Sequence, residues 1–339
     1  MFSSIRRLPR LRPARIRMLR PFLLSASLVF GACDGAENPL APGEDPVAPS
    51  SEPGVGEGLA LGGTSALVEW QRIVFTSTRK GGYDLYKTDP SGSNVVRFTS
   101  YADYETEAAW SYDNQRIAML RPRRDAANNT HPDVFLIKAD GSNGHWARST
   151  PLSYDLRSPS WSPDGSRILV SIKQLGKYHV GRMNAATGQV SFVTSGGGGV
   201  QGNYASYDPT GKKIIYVGPT GFTVDQINPD GTGHKVLYAG TTGVSGPKVS
   251  PDGKKLVFAK VFGSNIDICV VNLVDGTTAR VTTDPASDVS PSWSPDGSRI
   301  AFASTRSGKS QIYSADPKGG NLKRITNTTT DEKDPAWSH

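Results

Sequence analysis

The sequence predicts an all-β fold, a six-bladed β-propeller, on three observations. A phrase centred on an aromatic or apolar residue recurs as WSPDGSRILV from Trp161, WSPDGSRIAF from Trp293 and VSPDGKKLVF from Val249. With the weaker copies at Trp110 and Tyr207 and the truncated WSH at Trp337, successive copies stand 51, 46, 42, 44 and 44 residues apart, the length of a four-stranded blade. Apolar residues nowhere keep a helical period, and short apolar runs are bounded by Pro, Asp and Gly.

The first element is a leader over residues 1–32. Seven arginines and no acid are followed by an apolar run from Pro21 to Phe30, then by small residues and Cys33, the order of a secretory signal peptide. The apolar run is about half of the roughly 20 residues that a bilayer-spanning helix needs. Phe30-Gly31-Ala32-Cys33 resembles the bacterial lipobox, and the resemblance implies that Cys33 becomes the lipidated first residue of the mature chain. A plain secretory signal cut near Ala32 is the alternative, and Met18 is a second candidate start. Residues 33–66 are rich in Pro, Gly, Ala and acid with no hydrophobic period, so they read as a disordered tether with a mean reach of roughly 30 Å. The formal charge of +7 belongs to the leader: beyond residue 32 the chain holds 31 basic and 31 acidic residues. Nothing in that balance points to nucleic acid. Cys33 and Cys269 are the two cysteines, too few for a disulfide framework, and Cys269 in the run ICVV reads as a small buried hydrophobe.

Residues 67–339 form the propeller. In each unit a short strand ends in Trp-Ser, and Pro-Asp-Gly then supplies a fixed φ, a side-chain cap and a positive-φ position. Second strands begin near Arg72, Arg116, Arg167, Lys213, Lys255 and Arg299, which makes six blades. The first lacks a preceding strand, because Trp70 stands two residues before Arg72 where six is the rule. Asp334-Pro335-Ala336-Trp337-Ser338 is expected to supply it from the other end of the chain and so to remove a sheet edge. Closure by Leu67-Val68-Glu69-Trp70 is the alternative.

The unit from Pro291 to Thr326, with Ser304-Thr305-Arg306 in its loop, resembles the WD-like repeat of the TolB family throughout its length. The resemblance implies the propeller fold over about four-fifths of the chain. It does not extend to the α/β domain of that family, for which the tether is too short, so a literal role in the Tol machinery is not implied.

Motifs for chemistry are few. No G-x-S-x-G elbow occurs. The five histidines, His131, His145, His179, His234 and His339, fall at unrelated places in the repeat, and neither a metal nor another cofactor is expected. Asp164, Asp252 and Asp296 read as caps of their own turns. The run Gly196–Gly199 lacks the Lys-Ser/Thr of a phosphate loop, and the repeated tryptophans read as packing between blades.

Blade geometry sends the loop before each first strand and the loop between second and third strands to one face, around the channel mouth. That face collects Arg79, Lys80, Arg306 and Lys309, together with Tyr101, Tyr104, Glu105, Glu107, Arg157, Tyr204, Asp288 and Asp334. It also receives the longest insertion, Arg121 to His131, with Arg123 and Arg124. Tyr and Arg mixed with acids suit protein or peptide recognition. The expectation is a monomeric, membrane-tethered module of the cell envelope, facing the periplasm or the exterior and binding an envelope protein or peptide. The second reading is a carbohydrate-acting or other hydrolase or lyase on the same scaffold. Replacing Cys33 with Ser should move the protein into the soluble periplasmic fraction, and membrane association that persists through high-salt washes would overturn the lipidation reading.

Overall fold

The computed structural model describes residues 72–148, 154–193 and 200–339. Cys33, the leader, the tether, the segment Leu67–Trp70 and the run Gly196–Gly199 lie outside the described residues. Among the described residues every regular element is a strand, and the strands form six antiparallel four-stranded sheets. Blade 1 contains β1 (Ile73–Ser77), β2 (Asp84–Thr88) and β3 (Val96–Arg97). Blade 2 contains β4 (Thr106–Trp110), β5 (Arg116–Arg124), β6 (Thr130–Lys138) and β7 (His145–Trp146). Blade 3 is β8 (Leu156–Trp161), β9 (Arg167–Gln174), β10 (Lys177–Asn184) and β11 (Val190–Phe192). Blade 4 is β12 (Asn203–Tyr207), β13 (Ile214–Val217), β14 (Thr223–Ile227) and β15 (Lys235–Ala239). Blade 5 is β16 (Val244–Val249), β17 (Lys255–Phe262), β18 (Asn265–Asn272) and β19 (Thr278–Arg280). Blade 6 is β20 (Asp288–Trp293), β21 (Ile300–Ser307), β22 (Lys309–Ala315) and β23 (Lys323–Arg324), and β24 (Glu332–Trp337) returns to complete blade 1.

The C-terminal closure read from the repeat is observed. Strand β24 pairs antiparallel with β1, Ile73 opposite Trp337 and Ser77 opposite Glu332. The first strands of the six blades, β24, β4, β8, β12, β16 and β20, pack each on the next around the ring and surround the channel. The turns follow their sequence. The hydroxyl of Ser162 donates to the Asp164 carboxylate at 2.6 Å and the amide of Ser166 donates to it at 2.9 Å, while Gly165 takes φ +66°. Asp252 and Asp296 repeat this arrangement. These hydrogen bonds hold the Asp164 and Asp252 carboxyls below the ordinary range, which fits a capping role.

Packing between blades rests on the repeated tryptophans. Trp161 is 1 % exposed, and its indole N–H donates to the Ala109 carbonyl of the preceding blade at 3.2 Å. Trp293 donates to the Lys248 carbonyl in the same way at 3.1 Å. A tryptophan so buried costs roughly 3–5 kcal/mol when truncated to Ala. Cys269 is 1 % exposed, and burial pushes its thiol up to about 11.

One expectation is corrected. The segment Arg121–His131, read as a loop insertion, is a prolonged hairpin of β5 and β6, paired without interruption from Arg116 opposite Lys138 to Arg124 opposite Thr130. Its prolines, Pro122 and Pro132, stand directly opposite each other. Two residues with no N–H to offer are tolerated at one register position, although singly each argues against a strand.

Deleting residues 333–339 removes most of β24 and leaves β1 with an open edge over Ile73 and Phe75. The truncated protein should melt well below the intact chain or aggregate, and an unchanged melting temperature would mean that another segment closes the ring.

Candidate functional site

Each inner strand carries the same irregularity. Glu107, Ser158, Tyr204, Gly246, Ser290 and Asp334 all have φ between +50° and +60°, and each stands three residues before the last residue of its strand. The pairing register of every inner strand shifts at this point, as a β-bulge requires. The residue two places before each bulge position is buried, while the bulge residue and the one before it stay accessible, so each blade offers two successive residues, both with side chains except at Gly246. The pairs are Thr106 and Glu107, Arg157 and Ser158, Asn203 and Tyr204, Ser245 and Gly246, Val289 and Ser290, and Lys333 and Asp334. Most of these bulge residues are polar.

Four of the residues singled out in the sequence meet here: Glu107, Arg157, Tyr204 and Asp334. One Glu107 oxygen accepts the Ser158 amide at 2.6 Å, and the other lies 3.5 Å from Arg157. Asp334 accepts the Ser290 hydroxyl at 2.8 Å. Burial pushes both carboxyls above the ordinary range, and the Asp334 charge raises Glu107 further against the pull of the Ser158 amide and Arg157. Burial also lowers Lys248 to about 8, although the neighbouring Asp334 charge opposes the shift. The Tyr204 phenol is raised by burial first and by the Glu107 charge next. Lys248, Lys333, Ser158 and Ser290 were not singled out in the sequence. Their signal was positional, since they fall one, three or four places before the final residue of the strand in the repeat.

Other residues of the loop face are engaged within their own blades. Arg306 reaches both oxygens of Asp288, at 2.8 and 3.0 Å, and lies over the Tyr313 ring. Arg79 makes the equivalent contact with Glu332 at 3.2 Å and lies 4.3 Å from the Tyr86 ring centroid. Arg121 lies 3.1 Å from Asp103 and 3.7 Å from Glu105, against Tyr101 and Phe135. The side chains of Asp288, Glu332 and Glu105 have no exposed surface. Removing Arg79 or Arg306 would strand a buried charge at a cost of roughly 3–5 kcal/mol, more than a solvated loop residue carries. In the prolonged hairpin, Arg123 donates to the Arg148 carbonyl at 2.8 Å, and Arg124, at the exposed end, donates to the Asn128 side-chain oxygen at 2.9 Å. These two arginines therefore stand apart from the channel cluster. Among the described residues no group of three His, Cys, Asp or Glu side chains is arranged to hold a metal.

Because Glu107 and Asp334 have folded-state pKa values above those of the unfolded chain, their contribution to stability is complete in acid and is lost as pH rises through the raised values. Glu107→Gln removes one repelling charge. The variant should melt above the native protein at neutral and alkaline pH, with the gap closing in acid. A gap independent of pH would remove Glu107 from this balance.

Residues 223–339 match the family model described as the TolB β-propeller domain. Over 89 residues the chain is 32 % identical to a Bacillus subtilis protein named an uncharacterized peptidase, an alignment that takes in 26 % of this chain and 12 % of that protein. The TolB structure from Acinetobacter baumannii superposes with a TM-score of 0.67 at 21 % identity, covering 79 % of this chain and 66 % of that one. A putative TolB from Agrobacterium tumefaciens superposes with a TM-score of 0.59 at 18 % identity, covering 76 % and 88 %. The chain thus spans about an eighth of the Bacillus protein and just under two thirds of the Acinetobacter TolB, and the likeness to the solved structures is one of fold. With six blades, a C-terminal closing strand and the matched repeats, the described residues form a TolB-like β-propeller.

Proposed function

We propose that the propeller is a binding module of the cell envelope, held to a membrane by lipid on Cys33, and that its channel mouth takes a polar segment of a partner protein or peptide. The observation that carries this reading is the mixed-charge cluster at the bulges. Glu107 and Asp334, raised by burial, stand among Arg157, Lys248, Lys333 and the Tyr204 phenol. Groups already stripped of part of their water, and held by strand backbone rather than by loops, lose little on meeting a complementary segment. Their opposite signs also select against mismatched partners.

A photo-crosslinking residue in place of Tyr204 in the full chain, expressed in its own host, should capture one discrete protein. The same group in place of Asp164, in a turn on the opposite face, should capture none. Adding Glu107→Gln and Asp334→Asn should weaken capture about tenfold, the effect of losing a charged hydrogen bond. Equal capture from both faces, or capture indifferent to the two carboxyls, would overturn the reading.

A further inference from the structure

Leu175 forms the tip of the β9–β10 hairpin with 96 % of its surface exposed. Its φ is +49°, and the following Gly176 has φ +76°. Gln174 pairs with Lys177, so these two residues are the whole turn. Two consecutive positive φ values make the kind of turn that favours Asn-Gly or Asp-Gly, since a bulky side chain adopts the left-handed region at a cost. Among the described residues, the other non-glycine residues at positive φ are the five in the channel bulges and Asn114, Asn128, Asn143 and Asn321. Leu175 alone is apolar, strained and exposed at once. A residue that breaks several local rules together, with nothing in the fold to compensate, marks a place where function decides.

The surroundings indicate what meets it. Strand β8 begins at Leu156, opposite Ile172, so the hairpin projects from Lys173 to Tyr178 beyond the start of its inner strand. Lys173 and Lys177 flank the tip, both exposed. Phe222, 45 % exposed, lies in the corresponding turn of blade 4 on the same face. An apolar tip between two long cationic side chains fits an anionic lipid surface, where the leucine enters the headgroup boundary and the ammonium groups meet phosphate. The core of a protein interface is instead depleted in lysine. We propose that the β9–β10 hairpin of blade 3 docks onto an anionic lipid surface, with Leu175 inserted and Lys173 and Lys177 on the phosphates. The proposal depends neither on the lipid at Cys33 nor on the channel-mouth reading.

The test uses the full chain carrying Cys33→Ser, which removes the acylation site and leaves Cys269, 1 % exposed, as a shielded thiol. A polarity-sensitive fluorophore on Leu175→Cys should shift to the blue with vesicles of phosphatidylcholine and phosphatidylglycerol. It should not shift with phosphatidylcholine alone, and high salt should reverse the effect. The same label on Val274→Cys, 79 % exposed in the β18–β19 turn of the opposite face, should not respond. In unlabelled protein, Leu175→Asn should lower vesicle partitioning on the order of tenfold without lowering the melting temperature, because Asn suits the turn better. Lys173→Gln and Lys177→Gln should each lower partitioning about fivefold. A silent label at position 175, an equal response at position 274 or unchanged partitioning of Leu175→Asn would overturn the proposal. A label at position 175 that responds to an added envelope protein but not to vesicles would also overturn it, and would make the tip a protein contact.

Discussion

The pairing of β24 with β1 is the constraint on which the rest of the molecule depends. No blade holds its core alone. One apolar cluster joins Ala118, Leu120 and Leu136 of blade 2 to Trp161, Ile168 and Val170 of blade 3. Another joins Ile73, Phe75 and Trp337 of blade 1 to Ala301 and Ile312 of blade 6. A ring of sheets that lean on their neighbours is stable only when closed, since one open joint exposes two apolar faces and a row of unpaired backbone groups. Here the joint is made by residues more than 250 positions apart in the chain, so nearly the whole ring lies between its two partners.

Closure also supports local strain. Five of the six bulges hold a residue other than glycine in the left-handed region, each at a cost on the order of 1 kcal/mol. The cost persists because pairing on the outer side and packing against the neighbouring inner strands over-determine the backbone. In return, two successive side chains reach the channel where an unbroken strand would present alternate ones, in every blade but the fifth, whose bulge residue is Gly246. The charged residues Glu107, Arg157 and Asp334 are products of that geometry, and Lys248 joins them from two residues beyond its bulge.

The loop arginines illustrate a different balance. In sequence, Arg79, Arg121 and Arg306 look like free charges on a binding face. In the fold each lies against aromatic rings of its own blade and close to a carboxylate with no exposed surface. Burying such a carboxylate is tolerable only with a partner, so these arginines tie the end of the second strand, or the loop just after it, to the first strand or to the segment just before it. Arg306 and Asp288 make that tie through two hydrogen bonds, whereas Arg121 is shared between Asp103 and Glu105. Glu105, less closely paired, is pushed up by burial to about 8.

The sequence by itself determined the architecture: the repeat spacing set the blade count, the Pro-Asp-Gly turns set where strands reverse, and the missing first strand implied closure from the C-terminus. These features were legible because they are local, or are counted along the chain. It also marked Glu107, Tyr204 and Asp334 as residues near the channel mouth, but not their meeting with Lys248, whose place in the repeat resembles that of a small residue in other blades. The hairpin of Arg121–His131 was hidden because its prolines speak against a strand one at a time and are tolerated only face to face. Which arginines are structural, and that a leucine occupies a turn suited to asparagine, were decided only by the tertiary structure. Both depend on φ, burial and partners from distant blades, quantities that exist only once the ring has closed.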